Sequence, residues 1–199
     1  MATTAPSPST SRTAPRPGGR SARVQEAVHR ATRELAAEHG RDALTVPMVA
    51  ARAGVTPSTI YRRWGDLSEL LADVSVERMR PEGEPADTGS LRGDLLAWAE
   101  QYNEEMSSQP GRGMMRDVLG AQSPDDRPSC RCANYVAAQI GVLLERARAR
   151  GEAAPPVERL MDTLVAPLLF RLLFMPAPAT ADDIAGWIDA SLAGADQPA

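Results

Sequence analysis

The sequence predicts an all-α protein of about nine helices, divided into a small amino-terminal domain and a larger carboxy-terminal one. Apolar residues recur at spacings of three and four along most of the 199 residues. No stretch of useful length alternates apolar and polar residues, as a half-buried strand does. Gly, Pro and capping residues separate the periodic segments. With 43% hydrophobic and 24% charged residues, the composition is that of an ordinary globular protein.

The amino-terminal part begins with a Pro-, Ser- and Thr-rich segment, residues 1–20, which we expect to be a disordered tail. Helical periodicity starts at Ser21 and continues to about residue 80, so we assign the first domain to 21–80. Its predicted helices cover about 22–39, 46–53, 57–63 and 66–79, with Thr45, Thr56 and Asp66 as N-caps. The two short helices are joined by Gly54 and Val55, which makes residues 45–64 a helix-turn-helix.

The carboxy-terminal domain, 81–199, starts with a linker over 81–89. Its periodicity predicts five helices, with breaks at 109–113 and 123–128. These helices are centred on 91–106, 114–119, 133–147, 157–174 and 181–193. Helix 157–174 is apolar nearly all round and is therefore expected to be buried on more than one side. Pro167 should kink this helix unless the helix starts later.

The second short helix of the pair carries residue types that suit a DNA-recognition helix. Small hydroxyl residues, an aromatic residue and two arginines lie between Thr56 and Arg63. Hydroxyls, arginines and helix N-termini hold phosphates, and the start of a recognition helix approaches base edges. Arg62 could reach a phosphate or a guanine, while Ile60 and Trp64 should face the core. Taken alone, two adjacent arginines on a helix favour a solvated face over DNA contact.

The stretch resembles the amino-terminal domain of the TetR family of transcriptional regulators over about residues 22–80. The resemblance rests on Leu44-Thr45, Ala53-Gly54-Val55-Thr56 and Thr59-Ile60-Tyr61-Arg62-Arg63-Trp64. It implies double-stranded operator DNA as the partner, with Thr45, Thr56 and Tyr61 at phosphates. Leu67 stands where the family usually has a lysine that holds a phosphate. The candidate DNA-binding residues are Thr45, Thr56, Pro57, Ser58, Thr59, Tyr61, Arg62 and Arg63.

Residues 87–95, 150–152 and 166–174 resemble one carboxy-terminal class of the same family, in which this domain binds a small effector and pairs two protomers. Physical reasoning favours pairing as well, because helices 157–174 and 181–193 would expose apolar surface without a second layer. A two-fold dimer built as a four-helix bundle supplies that layer. The candidate interface residues are Leu164, Leu168, Leu172, Ile184, Trp187 and Ile188.

A pocket for a small apolar or amphipathic effector is expected in this domain, lined by soft and aromatic side chains. The candidate lining residues are Trp98, Tyr102, Met106, Met114, Met115, Val118, Leu119, Tyr135 and Phe170. For each of these residues taken singly, ordinary core packing is favoured over ligand contact, whereas the presence of a cavity in this domain is what the resemblance implies. The breaks at 109–113 and 121–128 could open an entrance.

Other chemistry finds little support in the sequence. Cys130 and Cys132 are too few for a zinc site and poorly spaced for a disulfide, although nearby arginines could favour a thiolate. His29 and His39 lack ligand partners, so neither a metal nor a cofactor is expected. No apolar segment is long enough to span a bilayer, and no catalytic constellation is recognisable. We therefore expect a cytoplasmic bacterial protein that is not an enzyme.

The net charge of -4 conceals an uneven distribution. Residues 1–80 carry 12 arginines and eight acidic residues, whereas residues 81–199 carry 10 arginines and 18 acidic residues. The basic part thus coincides with the helix-turn-helix. The predicted function is a ligand-responsive homodimeric repressor that binds a pseudo-palindromic operator; a transcriptional activator and a helical protein-interaction adaptor remain alternatives.

Overall fold

The computed structural model describes residues 19–121 and 128–193, and these residues form helices without any strand. The helices are α1 (Arg20–His39), α2 (Val46–Ala53), α3 (Pro57–Trp64), α4 (Leu67–Arg78), α5 (Leu91–Ser107), α6 (Gln109–Gly120), α7 (Pro128–Ala149), α8 (Val157–Leu160), α9 (Ala166–Phe174) and α10 (Ala181–Leu192). A π-helical segment, Met161–Val165, joins α8 to α9 without interruption. Counted over these ranges the fold has nine continuous helical rods, which confirms the all-α prediction. The predicted disordered tail and second break fall mainly on residues 1–18 and 122–127, outside the described residues.

The chain divides into two compact units between Arg63 and Trp64. In the first unit, α1 packs on α2 through side chains that are almost fully buried. Its core consists of Val28, Ala31, Leu35, Leu44, Val46, Val49, Ala50 and Ile60. Arg52 of α2 adds a fork of hydrogen bonds to α1, donating to both carboxylate oxygens of Glu38 at 2.8 and 2.7 Å.

The second unit contains α4 to α10 around a single large apolar cluster. Helix α4 packs mainly on α6 and also on α7, while α5 contacts α6, α7, α9 and α10. The largest side chains in the centre are Leu95, Ile140, Leu143, Leu144, Leu160, Leu164, Leu168, Leu172, Ile184 and Ile188. The assignment of residues 21–80 to a DNA-binding domain stays a prediction, since packing alone does not reveal which residues contact DNA.

The break predicted at 109–113 was wrong, because α6 begins at Gln109 directly after α5. Ser108 caps it by accepting a hydrogen bond from the Gly111 amide at 3.1 Å. Pro110 lies in the first turn, where its missing N–H group costs nothing. Gly111 sits so close to α5 that an added Cβ would overlap the Glu105 carbonyl oxygen and lie 2.7 Å from the Met106 Cα. This glycine is therefore a packing requirement of the helix pair and does not end a helix.

The sequence predicts a kink at Pro167 unless its helix begins later, and α9 does begin at Ala166, directly after a change in helix type. The π-helical segment ends at Val165, and the amide of Ala166 donates to the Met161 carbonyl, five residues earlier. Pro167 then occupies the first turn of α9. A proline there removes no hydrogen bond that a new helix would need, so the rod continues to Phe174.

Two of the segments that carry the carboxy-terminal resemblance meet at the start of α5. The fully buried Asp94 accepts from the Thr88 amide at 2.6 Å, the Thr88 hydroxyl at 2.7 Å and the Arg150 guanidinium at 2.9 Å. Glu152 accepts from the Leu91 amide at 2.8 Å. Burial acts to raise the pKa of Asp94, but these hydrogen bonds and the Arg150 charge outweigh it, so that the pKa is lowered. The segments thus form a scaffold that ties α5 to the end of α7.

Candidate nucleic-acid interface and ligand cavity

The helix-turn-helix is built from α2, α3 and the turn between them. The Thr45 hydroxyl caps α2 by accepting from the Met48 amide at 3.4 Å, as predicted. Gly54 then reverses the chain with a left-handed φ of 69°, a conformation that glycine adopts without steric cost. The amide of Val55 returns to the Ala50 carbonyl at 3.0 Å. These contacts fix where α3 begins relative to α2.

One side of α3 is buried and the other is open to solvent. Ile60 is completely buried, and Trp64 is 8% exposed, as the sequence predicted. Trp64 donates its indole N–H to Asp73 at 2.8 Å, and Asp73 also accepts from Arg131 at 2.8 Å. On the open side lie the candidate DNA-binding residues Thr56, Pro57, Ser58, Tyr61, Arg62 and Arg63, with Thr59 half-exposed.

The amino-terminal end of α3 presents a compact group of hydroxyls. The Thr56 hydroxyl lies 2.9 Å from that of Ser58 and 3.0 Å from that of Thr59. Tyr61 follows one turn later and is 49% exposed. Hydroxyls beside a helix N-terminus are donors that suit phosphate oxygens, and the partial positive charge of the helix end adds to their effect.

The two arginines of α3 have different surroundings. Arg63 is engaged by α1, where it donates to the Ser21 carbonyl at 3.1 Å, to the Ser21 hydroxyl at 2.8 Å and to the Gln25 side chain. Its guanidinium thereby holds the start of α1 against the end of α3. Arg62 is exposed and forms no hydrogen bond or ion pair within residues 19–121 and 128–193. Leu67 is the first residue of α4. Asp66 caps this helix by accepting a hydrogen bond from the Glu69 amide at 2.9 Å.

A cavity of about 520 Å³ lies in the second unit. It has the size of a typical small-molecule site. Five predicted pocket residues line it, namely Trp98, Tyr102, Met106, Met114 and Tyr135. The segment 78–85, which follows α4, lines another part of the wall. Arg146 of α7 holds this segment by donating to the Glu84 carboxylate and to the Pro85 carbonyl at 2.7 Å.

Four predicted pocket residues lie elsewhere. Met115 is buried and faces a second, open depression of about 480 Å³ beside Arg112 and Leu172. Val118 is buried in the packing of α6, whereas Leu119 and Phe170 are 58% and 56% exposed. None of the four lines the larger cavity.

Sequence analysis missed Met79, Cys132 and Gln139 as lining residues of the cavity. On α7, Cys132 lies three residues before Tyr135 and Gln139 four residues after it, and that helical periodicity could have identified them. Cys132 donates to the Met79 sulfur at 3.3 Å. Burial raises the pKa of the Cys132 thiol to about 11, against a smaller opposing effect of Arg131. Cys132 is therefore protonated near neutral pH and is a poor nucleophile.

The residues predicted for a dimer interface are mostly internal. Leu164, Leu168, Leu172, Ile184 and Ile188 are at most 2% exposed and belong to the core of the protomer itself. Trp187 is half-buried. The exposed apolar side chains on the same helices are Phe170 and Phe174, whose rings lie 5.2 Å apart, and Met175 just beyond α9.

Within 19–121 and 128–193, no group of three or more His, Cys, Asp or Glu residues could hold a metal ion. No helix in these ranges has both the length and the apolar character needed to cross a membrane.

Comparison with known families gives two matches along the chain. Residues 29–74 match the family described as bacterial regulatory proteins, tetR family. Residues 85–191 match the family described as tetracyclin repressor-like, C-terminal domain. The first match includes the helix-turn-helix, and the second includes most of the cavity wall.

Individual relatives are regulators of the helix-turn-helix type. The chain is 33% identical over 162 residues to the uncharacterized HTH-type transcriptional regulator Rv1556 of Mycobacterium tuberculosis, covering 79% of this chain and 80% of that protein. It is 31% identical over 140 residues to the DNA-binding transcriptional repressor TetR of Mycobacteroides abscessus, covering 67% and 73%. Among solved structures, the TetR family transcription regulator SCO0332 matches with a TM-score of 0.63 at 26% identity, covering 86% of this chain and 97% of that one.

Proposed function

Because the chain belongs to the TetR family and is a helix-turn-helix transcriptional regulator, we propose that it is a homodimeric repressor and that a small molecule releases it from its operator. The observation that carries the proposed DNA contact is the open face of α3. There, the hydroxyls of Thr56 and Ser58, the phenol of Tyr61 and the guanidinium of Arg62 lie on one exposed side of a helix whose other side is buried. The proposed site of action is the bacterial cytoplasm, and the proposal includes no catalytic step.

Each of these groups has a specific role in the proposed complex. The hydroxyl group at the start of α3, together with Thr45 at the start of α2, binds phosphates and sets the register of the protein on the duplex. Arg62 reads a base edge or a phosphate in the major groove. Arg63 acts indirectly, because its hydrogen bonds to Ser21 and Gln25 orient α1 against α3.

Dimerisation is supported by the exposed apolar side chains on α9. Phe170 and Phe174 are 56% and 70% exposed and pack against each other, and a second copy would remove them from water. A two-fold dimer also presents two recognition helices to half-sites about one helical turn apart. Repression is the sense of regulation in the relative from Mycobacteroides abscessus, which is named a repressor.

Helix α6 provides a physical connection between the cavity and α4. At its amino-terminal end, Gly111 and Met114 line the cavity. At its other end, the buried Asp117 accepts from the Ser75 hydroxyl of α4 at 2.8 Å, and the Gly120 carbonyl accepts from Ser68 at 3.3 Å. In the proposed mechanism, ligand binding displaces α6 and thereby α4, which begins three residues after α3 ends. A coupling of about 1 to 3 kcal/mol would change operator affinity roughly 5- to 150-fold.

The DNA-binding proposal is tested by selecting binding sites from random duplexes with the purified protein. We expect a two-fold symmetric motif with half-sites separated by about one helical turn or a multiple of it. The selected duplex then serves to measure the affinity of Arg62→Ala, which should be lower and should depend less steeply on salt concentration. Arg148→Ala, which removes an exposed arginine from α7, is the matched control and should bind as the wild type does. Selection of no common motif, or an unchanged salt slope in Arg62→Ala, would contradict the assignment.

A further inference from the structure

The inner wall of the cavity is aromatic and rich in sulfur. The rings of Trp98 and Tyr102 are stacked, with centroids 5.3 Å apart and planes inclined by only 18°. Met79, Met106 and Met114 line the same space. Thioether sulfurs make favourable contacts with aromatic rings and adapt to irregular shapes. Flat aromatic surfaces offer most contact to a flat ligand, so the wall favours a planar molecule.

Charged groups are confined to the rim of the cavity. Five charged side chains line it, and all five are exposed: Arg78, Arg80, Glu82, Glu84 and Glu105. Two of these already have partners, since Glu84 pairs with Arg146 and Arg80 pairs with Glu77 at 3.5 Å. The buried and half-buried lining side chains are all neutral. A charged ligand group would therefore lose its hydration at depth and find no opposite charge there.

The polar groups of the inner wall are mainly hydrogen-bond donors. The Trp98 indole N–H is already used, because it donates to the Gln139 carbonyl oxygen at 2.9 Å. That bond occupies one lone pair of the Gln139 side-chain oxygen, and the amide hydrogens of Gln139 remain as donors. Burial, assisted by nearby Cys132, raises the pKa of Tyr102 to about 12, so the phenol keeps its proton and can donate it. A ligand that complements this wall needs an acceptor.

From these three features we propose that the cavity binds a neutral, planar aromatic molecule with a carbonyl-type acceptor, which packs against the stacked Trp98–Tyr102 pair and accepts a hydrogen bond from the Tyr102 phenol. The proposal rests on the proposed function in taking this cavity as the effector site. It specifies the chemistry of the ligand, which membership of the family does not.

The test is calorimetric titration of the full-length protein, without DNA, with five probes of similar size. 2-Acetylnaphthalene is neutral, planar and an acceptor. 2-Naphthoate and 2-naphthylmethylammonium carry opposite charges, 2-ethylnaphthalene lacks the acceptor, and 2-decanone lacks the rings. We expect 2-acetylnaphthalene to bind roughly tenfold or more tightly than either ion, because each ion must be desolvated. Equal binding of either ion or of 2-decanone, or no binding of 2-acetylnaphthalene up to its solubility limit, would overturn the proposal.

Tyr102→Phe tests the position of the hydrogen bond. Loss of a single neutral hydrogen bond should weaken 2-acetylnaphthalene about fivefold and leave 2-ethylnaphthalene unchanged. A purely structural role of the hydroxyl would weaken both probes equally and would refute the assignment. The affinity for 2-ethylnaphthalene is the control within the same variant, because this probe lacks the acceptor and should not respond to the loss of the hydroxyl.

The effect of the ligand on operator binding is measured separately. If 2-acetylnaphthalene binds but leaves operator affinity unchanged, the ligand class stands and the proposed dissociation by ligand is wrong. If only an ionic compound both binds and releases the operator, the proposed function stands and the ligand class is wrong.

Discussion

Two glycines of α6 allow the close contact between α5 and α6 to be tested with a single type of substitution. An added Cβ at Gly111 would overlap the Glu105 carbonyl oxygen and lie 2.7 Å from the Met106 Cα and 2.9 Å from its carbonyl oxygen. All three atoms belong to the backbone, so relief requires α6 to move away from α5. At Gly113 an added Cβ meets no atom within 4 Å.

The two Gly→Ala substitutions should therefore change stability in opposite directions. Gly113→Ala should raise the free energy of unfolding by about 0.5 to 1 kcal/mol, because alanine restricts the unfolded chain and favours a helix. Gly111→Ala has the same propensity gain but adds the cost of overpacking, which is typically about 1 to 3 kcal/mol. We expect a net loss of roughly 1 to 2 kcal/mol.

The measurement is urea unfolding followed by circular dichroism at one fixed protein concentration, because the stability of the proposed dimer would depend on concentration. Gly113→Ala serves as the control for helix propensity within the same helix. If both variants shift the midpoint in the same direction and by the same amount, α6 does not approach α5 as closely at Gly111 as described, and the packing argument fails.

Three further predictions concern other parts of the second unit. Because the pKa of Asp94 is lowered in the folded protein, the stabilisation of the fold by this carboxylate is complete above its unfolded-state pKa of about 4 and is lost as the pH falls through the folded-state value. The difference in melting temperature between wild type and Asp94→Asn should therefore shrink from pH 7 to pH 3. A constant difference would contradict this. Ser75→Ala removes the hydrogen bond from α4 to α6 and should reduce the ratio of operator affinities without and with effector about two- to thirtyfold, measured by fluorescence anisotropy; an unchanged ratio would exclude this route. Phe174→Glu places a charge on the exposed apolar face of α9 and should shift sedimentation towards the monomer. By contrast, Leu119→Glu, at another exposed apolar position on α6, should leave the proposed dimer intact; dissociation of both variants would contradict the assignment of the interface.

Much of the secondary structure could be predicted because capping residues and glycines mark where the helices begin and end. The bounds of α2 are those expected from Thr45 and Gly54, and α10 begins at the capping box that Thr180 forms with Asp183. These signals act within one turn of helix, so a single sequence contains them completely. The inward position of Ile60 likewise followed from helical periodicity alone.

Features that depend on contacts between distant segments could not be predicted in the same way. Gly111 suggests a helix break when only the sequence is considered. The close approach of α5 explains why a glycine occurs there within a helix. The sequence does not distinguish Arg63 from its neighbour Arg62, yet the Arg63 guanidinium donates a hydrogen bond to Ser21 of α1. Met79 lies at the end of α4 and reaches the cavity only because the chain brings it to Cys132, 53 residues later.

The π-helical segment solves a geometrical problem set by the leucines of the α8–α9 rod. Leu160, Leu164, Leu168 and Leu172 follow one another at intervals of four, and each is at most 2% exposed. In a regular α-helix an interval of four advances about 40° beyond a full turn, so three intervals would rotate the last leucine about 120° away from the first. The wider turn at Met161–Val165 unwinds the rod and cancels part of this rotation. Deleting one residue of this segment would restore a regular helix and still keep Leu168 and Leu172, then about seven and eleven positions after Leu160, within roughly 20° of its face.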